Sequence, residues 1–194
     1  MKNFGDRIAM ESQEIHRILE RMAEEIQEDA IVADNLVLVG IHTGGVYLAK
    51  RLRDLIAERF QLKIPVGTLD ITLYRDDWTR LHTQPVVRAT ELPFPIDERE
   101  VILVDDVLYT GRTIRAALDA LVDYGRPKRV QVAVLVDRGH RELPICGQFV
   151  GIELKTLATE MVNVLLHEKD DADQIVVVEK PVGASPLKKL AAAS

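Results

Sequence analysis

The chain has 194 residues, 47% of them hydrophobic and 29% charged, and 25 Lys and Arg against 31 Asp and Glu leave a formal net charge of −6. These values suit one globular domain and exclude a collagen, a coiled coil or a wholly disordered chain. The acidic balance argues against a nucleic-acid coat, which needs basic surface to displace counterions, while leaving room for a local basic patch.

A single cysteine, Cys146, can form neither an intramolecular bridge nor a multi-thiolate metal site, which predicts a reducing, cytoplasmic compartment. Asp6 comes before any apolar stretch, and no run of about 18 apolar residues occurs. Neither a secretory signal nor a membrane span is expected.

In chain order, apolar runs alternate with helical patterns, as in βα units around a parallel sheet. Ser12 is placed to cap a helix reaching about Asp29, with Ile15, Ile18, Leu19, Met22, Ala23 and Ile26 at helical spacing. Residues 36–41 (LVLVGI) form a short apolar run of the kind buried on both sheet faces. After His42-Thr43-Gly44-Gly45 a second helix is expected from Val46 to about Phe60, with Lys50-Arg51-Leu52-Arg53 supplying its wet face. Lys63 to Tyr74 alternates as a strand does.

Arg75 to Glu100 holds Asp76-Asp77, a Trp and three prolines without sustained periodicity, and reads as a loop or irregular hairpin. Val101 to Asp106 is the next strand, followed by a helix to Tyr124 that Gly125 and Pro127 stop. Val130 to Val136 is a third apolar strand. Residues 149–151, 161–166 and 175–178 are shorter late strands, and 181–194 reads as a frayed tail. Residues 1–180 are expected to make one domain.

Chemistry concentrates in Val101 to Thr113, VILVDDVLYTGRT. The apolar run delivers Asp105 and Asp106 to the carboxyl end of a strand, the edge where open α/β sheets bind ligands. Thr110-Gly111-Arg112-Thr113 then opens a helix, and the free N–H groups of such a turn can surround a phosphate. Carboxylates repel a phosphate but accept from sugar hydroxyls or hold Mg²⁺ beside it. The spacing therefore predicts a phosphorylated sugar, its diol at Asp105 and Asp106 and its phosphate at residues 110–113. The pattern is neither a Walker loop nor G-x-G-x-x-G.

This segment resembles the phosphoribosyl-pyrophosphate (PRPP) signature of type I phosphoribosyltransferases. Together with VGIHTGGVYLAK (39–50), LDITLYRDD (69–77) and AVLVDRGHRELPI (133–145), it is similar to the PyrR family of pyr operon regulators with uracil phosphoribosyltransferase activity. The resemblance covers most of residues 11–166. It implies a type I phosphoribosyltransferase fold: α/β, with a mostly parallel central sheet flanked by helices and a small irregular hood at residues 75–100. It implies PRPP and uracil as substrates, UMP as product, Mg²⁺ carried mainly by PRPP with Asp105 and Asp106 as candidate ligands, and self-association.

Residue by residue, the resemblance gives Asp105 and Asp106 the ribose hydroxyls and places the 5′-phosphate along Val107, Leu108, Tyr109, Thr110, Gly111, Arg112 and Thr113. Thr43 and Gly44 fall in the pyrophosphate turn, which in this superfamily often has a non-proline cis peptide. Arg75, given a catalytic role, and Arg88 become pyrophosphate contacts. Arg138 and Val162 flank the base. Many purine-specific relatives have Asp where this chain has Tyr109; the uracil N–H is acidic enough to make a dedicated base dispensable.

The family's regulators bind pyr leader RNA through a basic face, to which Arg21, His140 and Arg141 correspond. This chain departs from that face: Glu20 and Glu24 stand where Thr and His are usual, Cys146 and Gly44 where Arg is usual, and Ile152 where Lys is usual. Fewer cations and added carboxylates predict retained catalysis with weak or no RNA binding; the alternative is a UMP- or PRPP-responsive RNA-binding attenuation regulator of the pyr operon with weak catalysis. On composition alone, a loop His beside two Arg is an ordinary surface residue.

Overall fold

The computed structural model describes residues 7–30, 35–76 and 87–179. Eight strands and four helices follow in the order β1 (Arg7–Glu11), α1 (Ser12–Asp29), β2 (Leu36–Ile41), α2 (Gly44–Phe60), β3 (Val66–Leu69), β4 (Glu100–Leu108), α3 (Arg112–Val122), β5 (Arg129–Asp137), β6 (Phe149–Glu153), β7 (Glu160–Leu165), α4 (His167–Asp170) and β8 (Gln174–Glu179). The central sheet has the order β3-β2-β4-β5-β6 and every pairing in it is parallel.

Period-two alternation sorts the sheet's side chains into two cores. Leu36, Leu38, Ile102, Val104, Ala133 and Leu135 pack with Ile15, Leu19, Met22 and Ile26 of α1 and Leu48, Leu52 and Ile56 of α2. Val37, Val39, Ile41, Val101 and Leu103 face the other way, onto Ile114, Ala117, Ala120 and Leu121 of α3. Sheet strands covered on both faces have no polar side to show, and all six residues of β2 are buried.

Three expectations change. The helix cap is Glu11, whose N–H donates to the Glu14 carboxylate at 3.1 Å, and Ser12 is already the first helical residue. The strand expected over 63–74 is confined to Val66–Leu69, where it pairs with Leu38–Ile41. Beyond it the Asp70 carboxylate accepts the Thr72 N–H at 2.7 Å, pulling the chain into a single 3-10 turn, Thr72–Tyr74. Arg51 is not solvated: its guanidinium holds Glu168 at 2.6 Å and Asp173 at 2.7 Å.

A second sheet, antiparallel with the order β1-β8-β7, joins residues 7–11 to 174–179. Its buried Val164 and Ile175 extend the core under α1 and α2. Within the expected hood, the described residues 87–99 form only an isolated bridge, Glu91 to Thr68; residues 77–86, like the tail 181–194, lie outside the described residues.

Candidate active site

Three parallel strands end side by side, and the motif residues sit at those ends. The register pairs Gly40 with Val104 and Leu108 with Asp137, so His42-Thr43, Asp105-Asp106 and Arg138 share the carboxyl edge of the sheet. Asp105 and Asp106 still belong to β4, and Asp105 is 6% exposed. Asp105 Oδ1 accepts the Asp106 N–H at 3.0 Å, and Asp106 Oδ1 accepts the Val107 N–H at 2.8 Å. Burial, followed by the charge of Asp106, pushes the Asp105 carboxyl well above the usual range. Burial raises Asp106 as well. A buried carboxyl beside a half-buried one resists carrying a second negative charge until something neutralises it.

Gly111 begins α3 with φ 92°, a left-handed conformation that glycine adopts without strain. Val107 to Thr113 line a cavity of about 300 Å³ together with Arg75 and Glu142. The positive charge of Arg75 is felt at Asp105. Arg112 is gripped across this cavity by Glu142 at 2.7 Å and by Asp76 at 2.6 Å. Neither acidic partner was legible in the motif, because each is some thirty residues away in sequence.

At the end of β2 the His42–Thr43 peptide is cis, a feature the resemblance implies at this turn. A side chain at Gly44 would run into the Asp106 carboxylate, and one at Gly45 into the Val104 carbonyl oxygen. The two glycines let α2 start directly against the Asp pair. Arg88, whose backbone N–H donates to Asp70, lines a separate cavity of about 370 Å³ with Thr43 and Lys50.

Arg138 is 5% exposed. Its guanidinium lies 4.1 Å from the centre of the Tyr109 ring and donates to the carbonyls of Glu160 (2.9 Å) and Leu157 (3.3 Å). It is a strut between the motif and the turn before β7, and its buried Nε has no hydrogen-bond partner. Val162, half-buried, packs against the core beneath α1 and α2. A larger cavity, about 640 Å³, lies between α1 and α2 and includes none of the expected site residues.

The phosphoribosyl transferase domain family matches residues 10–169. The bifunctional protein PyrR of Syntrophobacter fumaroxidans is 72% identical over 173 residues, covering 89% of this chain and 93% of the relative. The chain belongs to the PyrR family of type I phosphoribosyltransferases. The bifunctional protein PyrR of Desulfosudis oleivorans is 56% identical over 169 residues, 87% of this chain and 93% of that one. A hypoxanthine phosphoribosyl transferase of Trypanosoma cruzi shares the fold alone: TM-score 0.68 at 18% identity, covering 93% of this chain and 94% of that one.

The side chains that the resemblance assigns to an RNA face are engaged within the molecule. Arg21 donates to the Val150 and Gly151 carbonyls and pairs with Glu25. Arg141 pairs with Asp137 and donates to the Tyr109 and Ile145 carbonyls at 2.8 Å each. His140 Nε2 lies 2.8 Å from the Thr156 carbonyl oxygen. Glu20 and Glu24 both pair with Arg59 of α2. No helix among the described residues is long and apolar enough to cross a membrane.

Proposed function

We propose that this PyrR-family phosphoribosyltransferase moves the 5-phosphoribosyl group of PRPP onto uracil, releasing UMP and pyrophosphate. The observation that carries the reading is the buried Asp105 beside half-buried Asp106 at the end of β4, followed directly by the glycine-started turn of α3. Asp105 and Asp106 accept the ribose hydroxyls, and the 110–113 turn binds the 5′-phosphate through backbone N–H groups and the α3 N-terminus. Thr43 and Gly44 receive the pyrophosphate group. In the reaction the C1′–oxygen bond to pyrophosphate breaks, the uracil ring nitrogen forms the new bond to C1′, and its proton leaves to solvent.

The donor set fits Mg²⁺, a hard ion that prefers carboxylate and phosphate oxygens: Asp105 and Asp106 offer carboxylates, and Gly44 keeps side-chain bulk away from Asp106. When bound with PRPP the ion supplies positive charge at the departing pyrophosphate oxygens. The chain's own contribution is positioning and electrostatics, from carboxylates fixed by backbone N–H groups and from Arg75 at the cavity wall.

The PyrR family also supplies an RNA-binding regulator as the alternative. The internal engagement of Arg21, His140 and Arg141 and the acidic Glu20 and Glu24 favour the enzyme, with weak leader-RNA binding. Incubation with PRPP, Mg²⁺ and each nucleobase in turn tests the assignment: UMP from uracil supports it, and nucleotide formed only from a purine overturns it. Nanomolar, sequence-specific binding of a pyr leader RNA at physiological salt would favour the regulator instead.

A further inference from the structure

Beside the cis peptide at the end of β2 lies a cavity of about 370 Å³ whose walls come from three places. Thr43, Val46, Tyr47 and Lys50 line it from α2 and its cap. At 3.6 residues per turn, positions 43, 46, 47 and 50 share one helix face, and helical side chains lean toward the N-terminus, so Lys50 is directed back toward the turn. Across the cavity stands Arg88, on the segment that returns to the sheet through the Thr68–Glu91 bridge and the Asp70 carboxylate.

In a chain with an acidic surplus most arginines here are neutralised: Arg51, Arg59, Arg112, Arg115, Arg129 and Arg141 each hold a carboxylate. Among the described residues the Lys50 ammonium and the Arg88 guanidinium meet none within ion-pair distance. The nearby Asp70 carboxylate is taken by Thr72 and by the Arg88 backbone. Gly44 adds no side chain, so any cation the pyrophosphate turn uses must come from elsewhere. Glu91 is the carboxylate on the cavity wall and limits the positive potential without cancelling two cations.

We propose that Lys50, facing Arg88 across this cavity, is a binding residue for the pyrophosphate group. The inference rests on the phosphoribosyl-transfer reading and adds Lys50 to its site. Lys50 is exposed, as expected for the wet face of its helix, and the proposal gives that face an anion to hold. A flexible ammonium suits an anion that must enter as part of one molecule and leave as another, since it can follow the phosphates without fixed bidentate geometry.

The test is calorimetric titration of the full chain with magnesium pyrophosphate, for wild type, Lys50→Gln and Lys50→Arg. Loss of one charge-assisted contact should weaken binding by about tenfold in Lys50→Gln. Lys50→Arg should restore most of it, and the wild-type advantage should shrink as salt rises. In turnover, Lys50→Gln should raise KM for PRPP and leave KM for the base unchanged. Equal pyrophosphate affinity in wild type and Lys50→Gln overturns the proposal, as does failure of wild type to bind pyrophosphate. If pyrophosphate binding depends on Lys50 but uracil yields no UMP, the uracil assignment falls and the Lys50 site stands.

Discussion

Asp105→Asn separates function from stability. The carboxyl is 6% exposed, lies beside Asp106, and has one backbone N–H to compensate it. Two unit charges at about 4 Å repel by about 4 kcal/mol at an effective dielectric constant of 20 and about 1 kcal/mol in water. Asparagine keeps the acceptor oxygen and the shape while removing that repulsion, but buries an amide N–H₂ that offsets part of the gain. The variant should be more stable than wild type at pH 7.5 by about 1–3 kcal/mol, or about 2–4 °C in Tm per kcal/mol for a chain of this size. The pH dependence follows from burial and Asp106 raising the Asp105 pKa on folding. Such a group contributes stability below its unfolded pKa and loses it as pH rises through the folded pKa. The advantage of Asp105→Asn should therefore be small in acid and grow toward neutrality. Phosphoribosyl transfer should fall by on the order of a hundredfold, because the ribose loses a fixed charged acceptor. Denaturant melts across pH 4–8, with parallel activity assays, check both halves. A variant less stable than wild type at neutral pH, with no trend in pH, would refute the repulsion between the Asp105 and Asp106 carboxylates.

Arg51→Met removes the cation between Glu168 and Asp173 and should cost about 1–3 kcal/mol, with early amide exchange in the turn before β8. Hydrogen bonding from Arg51 lowers the Glu168 pKa; for Asp173 burial opposes, but bonds from Arg51 and the His167 N–H prevail. That stability is present above the ordinary carboxylate range, so the deficit of Arg51→Met should shrink as pH falls. Tyr109→Phe keeps the ring over which Arg138 lies, and turnover should stay within about tenfold of wild type; a loss beyond about a hundredfold would mark the hydroxyl as an acid–base group. Gly45→Ala puts a methyl against the Val104 carbonyl, which should cost about 1–3 kcal/mol and raise KM for PRPP as α2 shifts from β4. A melt identical to wild type would show that the helix start has room.

What could be read from the chain was local. The run 101–113 contains its own strand, carboxylates, glycine turn and helix start, and the fold sets them in that order along one strand and helix. Long apolar periodicity likewise located α1, α2, α3 and the central strands. Pairings between distant residues were not legible. RIAME, residues 7–11, carries no clear alternation and becomes a strand only because β8 supplies its partner some 165 residues later. The alternation of 63–74 was broken by Asp70, whose carboxylate captures Thr72 before the ladder can continue. Arg51 looked solvated because its acidic partners lie 117 and 122 residues away. The burial of Arg138 against Tyr109 depends on carbonyls of the later 157–160 turn, which the motif does not contain.

In the proposed function the Asp105-Asp106 pair with the 110–113 turn binds PRPP for transfer to uracil. UMP formation from PRPP and uracil with Mg²⁺, compared between wild type and the Asp105→Asn/Asp106→Asn double variant, is the decisive assay for that binding. Wild type should form UMP, and the folded double variant should lose at least about a hundredfold. Undiminished UMP formation by that variant would contradict it.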